Sequence, residues 1–165
     1  MTARAGSGAA TVTLPTDDRI LITREFDAPR HLVYRAWTTP ELVRRWWNAK
    51  RGEVTICEID LRVGGDWRYV MVTEDGFEVG FHGEFREIVP DERIVSTEIY
   101  EGAPPEAGGT LNTLTLSETD GRRTLLTILV QAPSKEVRDA IIESGMEAGM
   151  QDALDLLEEV TVSLR

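Results

Sequence analysis

The sequence has little of what most catalytic and metal centres are made from. Among 165 residues there is one cysteine, Cys57, and there are two histidines, His31 and His82. One thiol cannot close an intrachain disulfide, which makes a reducing cytoplasm the expected compartment. Inside Thr55-Ile56-Cys57-Glu58-Ile59 it reads as a small apolar filler. Zinc and iron sites need several His, Cys or carboxylate ligands converging, and these three residues have no ligand-like spacing, so no metal or cofactor is expected. Long apolar runs are missing too: the longest is Tyr69-Val70-Met71-Val72, against the ~20 residues that a bilayer demands. No apolar stretch near the N-terminus precedes a small-residue cleavage site, so no secretion signal is read. The chain has no Gly-x-Ser-x-Gly elbow, and Gly64-Gly65 and Gly108-Gly109 lack the further glycines and lysine of a phosphate loop. Both pairs read as turns. No catalytic residue is assigned.

Basic charge is also scarce. Lys and Arg number 18 against 29 Asp and Glu, a formal charge of −11. The excess is uneven: residues 1–51 carry nine basic and five acidic side chains, residues 52–165 nine and twenty-four. Such a chain repels phosphate backbones, which argues against nucleic acid and anionic membranes as partners. Arg44, Arg45, Lys50 and Arg51 cluster beside Trp46-Trp47 and read as cations at a helix carbonyl end.

What is present fits one domain, at roughly 150 residues per domain. Met1–Thr16 has almost nothing to bury and is expected to be a disordered tail, leaving 17–165 as the domain. Arg19–Phe26 reads as a strand. Asp27-Ala28-Pro29 and Thr39-Pro40-Glu41 each start a short helix, the second running to Trp46 or Trp47. From Gly52 to Gln131 strands alternate with turns, including hairpins at Asp75-Gly76 and Thr119-Asp120-Gly121. Pro133-Ser134 opens a long last helix that is expected to reach Glu159 or Val160, with an apolar stripe and eight acids on a solvated face. This order demands an α+β fold, an antiparallel sheet closed by the last helix.

Several motifs occur in sequence: Phe26-Asp27-Ala28-Pro29-Arg30, Val33-Tyr34-Arg35-Ala36-Trp37, Thr39-Pro40-Glu41-Leu42 and Trp46-Trp47. They are followed by Asp60-Leu61-Arg62-Val63-Gly64-Gly65, Gly83–Pro90, and Gly145-Met146 with Gly149. Together, over about residues 19–160, they resemble the START/SRPBCC superfamily, in the branch of the C-terminal domain of the activator of the heat-shock-protein-90 ATPase. The resemblance implies the helix-grip fold: a curved seven-stranded antiparallel sheet around a long C-terminal helix, with two short helices after the first strand and a cavity between helix and sheet. It also implies binding of small ligands, with no shared catalytic set. The co-chaperone of that branch works through a separate N-terminal domain, and here only the short tail stands there; the heat-shock label is therefore read as a family name.

The expected function is non-catalytic binding of a small apolar or amphipathic molecule by a monomer or homodimer. A cyclase- or hydratase-like enzyme in the same cavity is the alternative, and a co-chaperone-like or acidic interaction module a third. Candidate ligand-binding residues are Trp47, Trp67, Tyr69, Met71, His82, Met146 and Met150. A turn centred on Asp75-Gly76 pairs Val72 with Val79, Met71 with Gly80 and Tyr69 with His82. Trp67, Tyr69 and Met71 then share a face with His82 and Glu84. The opposite face holds Val70, Val72, Val79, Phe81 and Phe85, and a one-residue slip exchanges the two sets. Gly145 and Gly149, each costing ~1 kcal/mol in a helix, either leave a groove or allow close helix–sheet approach. Methionine suits irregular, adaptable space. The long Glu101–Gly109 connection is a candidate lid over the cavity.

Overall fold

The computed structural model describes residues 9–119 and 122–165. In chain order the elements are β1 (Thr11–Thr13), β2 (Arg19–Phe26), α1 (Arg30–Thr38) and α2 (Pro40–Trp46), then β3 (Gly52–Ile59), β4 (Asp66–Thr73), β5 (Glu78–Val89), β6 (Arg93–Tyr100), β7 (Thr110–Glu118) and β8 (Thr124–Gln131). Two helices follow, α3 (Lys135–Glu143) and α4 (Met146–Ser163). The strands form one antiparallel sheet in the order β1-β2-β8-β7-β6-β5-β4-β3. Register shifts at Val54/Ile56 and Phe85/Glu87 interrupt the ladders, and such bulges bend a sheet. The α+β, helix-grip architecture is the one expected, with eight strands instead of seven.

The extra strand lies inside the expected tail. Val12 pairs with Ile22 of β2. The Ala10 N–H donates to Gln151 Oε1 while the Gln151 amide donates back to the Ala10 carbonyl, both at 2.9 Å. A segment poor in apolar side chains is ordered here through its backbone, which composition does not register. Residues 1–8 of that expected tail, and the Asp120-Gly121 turn, lie outside the described residues.

Strand alternation builds the core. On β2 every second residue is buried: Ile20, Ile22, Arg24 and Phe26. Arg24 is the unexpected member, and its guanidinium reaches Asp155 at 3.0 Å and Glu158 at 2.9 Å on α4, over the Phe26 ring. Glu158 also accepts the Asp27 N–H at 3.0 Å. Two of the eight acids expected on a solvated face thus clamp α4 to the sheet. A third, Asp152, pairs with Arg51 at 2.8 Å. A buried charge needs such partners, and apolar periodicity carries no sign of them.

The last helix is two helices. Ser144 ends α3, and Gly145 takes φ +84° as the residue before α4. That left-handed conformation suits glycine and breaks the expected continuous run. Ser134 caps α3 as expected, its side chain accepting the Val137 N–H at 3.2 Å.

Candidate functional site: an aromatic cavity with one buried carboxyl

A cavity of about 410 Å³ lies between α4 and the sheet. Its shape follows from the β4–β5 hairpin. Met71 pairs with Val79, Tyr69 with Phe81, Trp67 with Gly83 and Arg68 with His82. This register is one residue away from the expected one. Trp67, Tyr69 and Met71 keep their shared face, but their companions are Val79, Phe81 and Phe85, and all six line the cavity. His82 belongs to the other face.

That placement corrects the expectation for His82. It stands outside the cavity, its Nδ1 2.8 Å from Glu101 Oε2, and Arg68 donates to both oxygens of the same carboxylate at 2.9 and 3.0 Å. Hydrogen bonds from Arg68, then His82, hold Glu101 down at about 2. The physical reason is the turn: Thr73 Oγ1 accepts the Phe77 N–H, and the Thr73 N–H donates to the Phe77 carbonyl, which moves the pairing by one. Glu101 begins the connection considered as a lid. No residue of Glu101–Gly109 lines the cavity, and Glu101 ties that connection to the outer face.

The remaining candidates converge. Trp47, following α2, stands edge-on to Tyr69 at 5.5 Å and to Phe81 at 5.8 Å. Trp67 and Tyr69 are 4.8 Å apart. The Trp67 indole donates to the Thr97 carbonyl at 3.2 Å, crossing Gly83, where a Cβ would collide with that same carbonyl. Met146, Gly149, Met150, Ala153 and Leu154 of α4 close the opposite wall. A Cβ at Gly149 would meet nothing within 4 Å, so this glycine leaves space and does not serve close approach. Trp46, the residue before Trp47, lines the cavity as well and also does structural work. It is buried against Trp37 at 4.9 Å and donates to the Ala36 carbonyl at 2.9 Å.

The polar exceptions in this wall are few, and one was not singled out from sequence. On β6, Ile94, Ser96 and Glu98 face the cavity, opposite Leu114 and Asn112 of β7. Asn112 Nδ2 donates to Glu98 Oε1 at 2.9 Å, and Thr110 Oγ1 donates to Asn112 Oδ1 at 2.9 Å. Burial raises the Glu98 carboxyl above the usual range, and the Asn112 hydrogen bond opposes this. Tyr69 is raised too, first by burial, with Cys57 and Glu98 adding to it. The signal for Glu98 was available: it lies four residues after Ile94, on the same face of an alternating strand. Thr38 and Arg51 add to the polar lining, Arg51 held by Asp152 and by the Ala49 carbonyl.

Cys57 is buried, and burial, the largest influence, pushes its thiol up to about 11. It is no nucleophile at neutral pH. His31 is exposed on the first turn of α1. Among the described residues no group of three or more His, Cys, Asp and Glu could hold a metal ion. No described helix is long and apolar enough to cross a membrane.

Known proteins agree with this architecture. No curated protein matches the chain. A crystal structure of a Rhodobacter sphaeroides protein superposes with a TM-score of 0.86 at 27% identity, covering 94% of this chain and 99% of that one. A solution structure from Arthrobacter aurescens gives 0.82 at 28%, covering 93% and 91%. A Nitrosomonas europaea crystal structure gives 0.80 at 26%, covering 91% and 97%. The family model for activator of Hsp90 ATPase homolog 1-like proteins matches residues 27–161, the span from the end of β2 through most of α4. The chain belongs to this family of activator of Hsp90 ATPase homolog 1-like proteins.

Proposed function

We propose that this protein binds a small, largely apolar molecule in the cavity between α4 and the sheet, without transforming it. One observation carries the reading: about 410 Å³ of space walled by Trp47, Trp67, Tyr69, Phe81, Met146 and Met150. Ligand sites typically occupy ~300–1,000 Å³ with few polar groups on an apolar wall. The methionines give one side of the wall the adaptability that varied ligand shapes require. The single unpaired thiol supports a cytoplasmic setting.

Native mass spectrometry of the protein purified from its own host tests this. A retained small molecule is expected, and it should be absent from Gly149→Leu, whose side chain would fill the cavity. Retention of the same molecule by that variant would place it elsewhere and refute the reading. Glu98 favours a second reading, acid–base catalysis, because a buried carboxyl raised above the usual carboxylate range is a better proton donor than an exposed one. Conversion of the retained molecule by the wild type, lost in Glu98→Gln while binding persists, would establish the enzyme in its place.

A further inference from the structure

We propose that Glu98 selects the ligand's chemical class: an apolar body carrying one basic nitrogen, received as an ammonium beside the Trp67 and Tyr69 rings. The assignment rests on the cavity-binding reading above and deepens it. Among the residues lining the cavity, the groups that titrate are Glu98, Tyr69 and Arg51. Arg51 already has its counter-ion, Asp152 at 2.8 Å. Glu98 has none. One of its oxygens accepts from Asn112, whose amide is oriented by the Thr110 hydroxyl. Among the described residues the other oxygen has no hydrogen-bond partner, and Glu98 is one of the residues that line the cavity.

A carboxylate in an apolar site is stable only when a cation or several donors accompany it. The described residues supply one neutral donor, Asn112. The missing positive charge is therefore the ligand's to bring. Its surroundings suit that charge: Trp67, Tyr69, Trp47 and Phe81 form a chain of rings with centroids 4.8–5.8 Å apart, and ring faces attract ammonium groups. The chain's net charge of −11 draws cations toward the protein and holds anions off.

The proton balance is explicit. Before binding, burial makes the Glu98 carboxyl hold its proton to higher pH than an exposed glutamate does. An arriving ammonium displaces it: the Glu98 O–H bond breaks, the carboxylate pairs with the ammonium, and one proton leaves to the buffer. A neutral ligand with the same body releases none.

Isothermal titration with phenylbutylamine, phenylbutanol and phenylbutyrate tests this, at about pH 6 in two buffers of different ionisation enthalpy. The three probes share one apolar body and differ in the charge at its end. The amine is expected to bind about tenfold tighter than the alcohol or better, the range of a charge-assisted hydrogen bond, and to release a proton. The carboxylate should be weakest. In Glu98→Gln the amine's advantage and the proton release should vanish while the alcohol binds as before. Should that variant fail to fold, affinity order and proton release in the wild type decide. An amine that binds no tighter than the alcohol, or that keeps its advantage in Glu98→Gln, overturns the assignment and leaves apolar binding standing. Failure of all three probes overturns it too, and the retained-ligand experiment then judges the cavity reading separately.

Discussion

Gly145 and Gly149 look equivalent in sequence, four residues apart within one apolar helical stripe, and the structure gives them opposite signs on substitution by alanine. Gly149 lies in the first turns of α4 with ordinary helical backbone, and a Cβ there would meet nothing within 4 Å. Gly149→Ala should therefore stabilise the protein by about 0.5–1 kcal/mol, through helix propensity and a stiffer unfolded chain. For a chain of this size that is a rise of about 1–4 °C in Tm. Gly145 has equal room but stands at φ +84°. An L-residue there costs about 1–2 kcal/mol, of which the stiffer unfolded chain returns part. Gly145→Ala should destabilise by roughly 1 kcal/mol and lower Tm by about 2–4 °C. Thermal melts and urea titrations of both variants, followed by circular dichroism, read the two signs directly. A stabilised Gly145→Ala would show that α3 and α4 form one continuous helix in solution. A destabilised Gly149→Ala would mean that the α4 wall sits closer to the sheet than described, with too little room for a ligand.

Two further outcomes follow from the site. His82→Gln should leave ligand affinity within about twofold of wild type, because His82 lies on the outer face with Glu101 and Arg68; a change of tenfold or more, about 1.4 kcal/mol, would put the β4–β5 register in error. Glu98→Gln should be more stable than wild type at neutral pH and equal to it at about pH 3, measured as urea midpoints across the range. The sign follows from linkage: the folded carboxyl keeps its proton above the pH at which the unfolded one loses it, so the wild type loses stability as pH rises through that window. A variant that is less stable at neutral pH would mean that Glu98 is ionised and paired in the free protein.

Much of the fold was legible because its signals are local. The α2 start at Pro40, the Ser134 cap and the β2 alternation each depend on a few neighbouring residues, and local rules read them. Type and position likewise mark Trp47, Trp67, Tyr69, Met71, Met146 and Met150, and all six line one cavity. What local rules missed has a common cause. The strand period of two makes a one-residue shift at the Asp75-Gly76 turn reverse every face, and the hydrogen bonds of Thr73 with Phe77 chose the shift. His82 left the cavity by that step and Phe81 entered it. Arg24 and Glu158 are 134 positions apart in the chain, so neither could announce the other. Glu98 follows Ile94 on an alternating strand and could have been found by its face. Its importance depends on what surrounds it, apolar rings from β4 and β5 and a single amide from β7, and only the packed sheet brings those together.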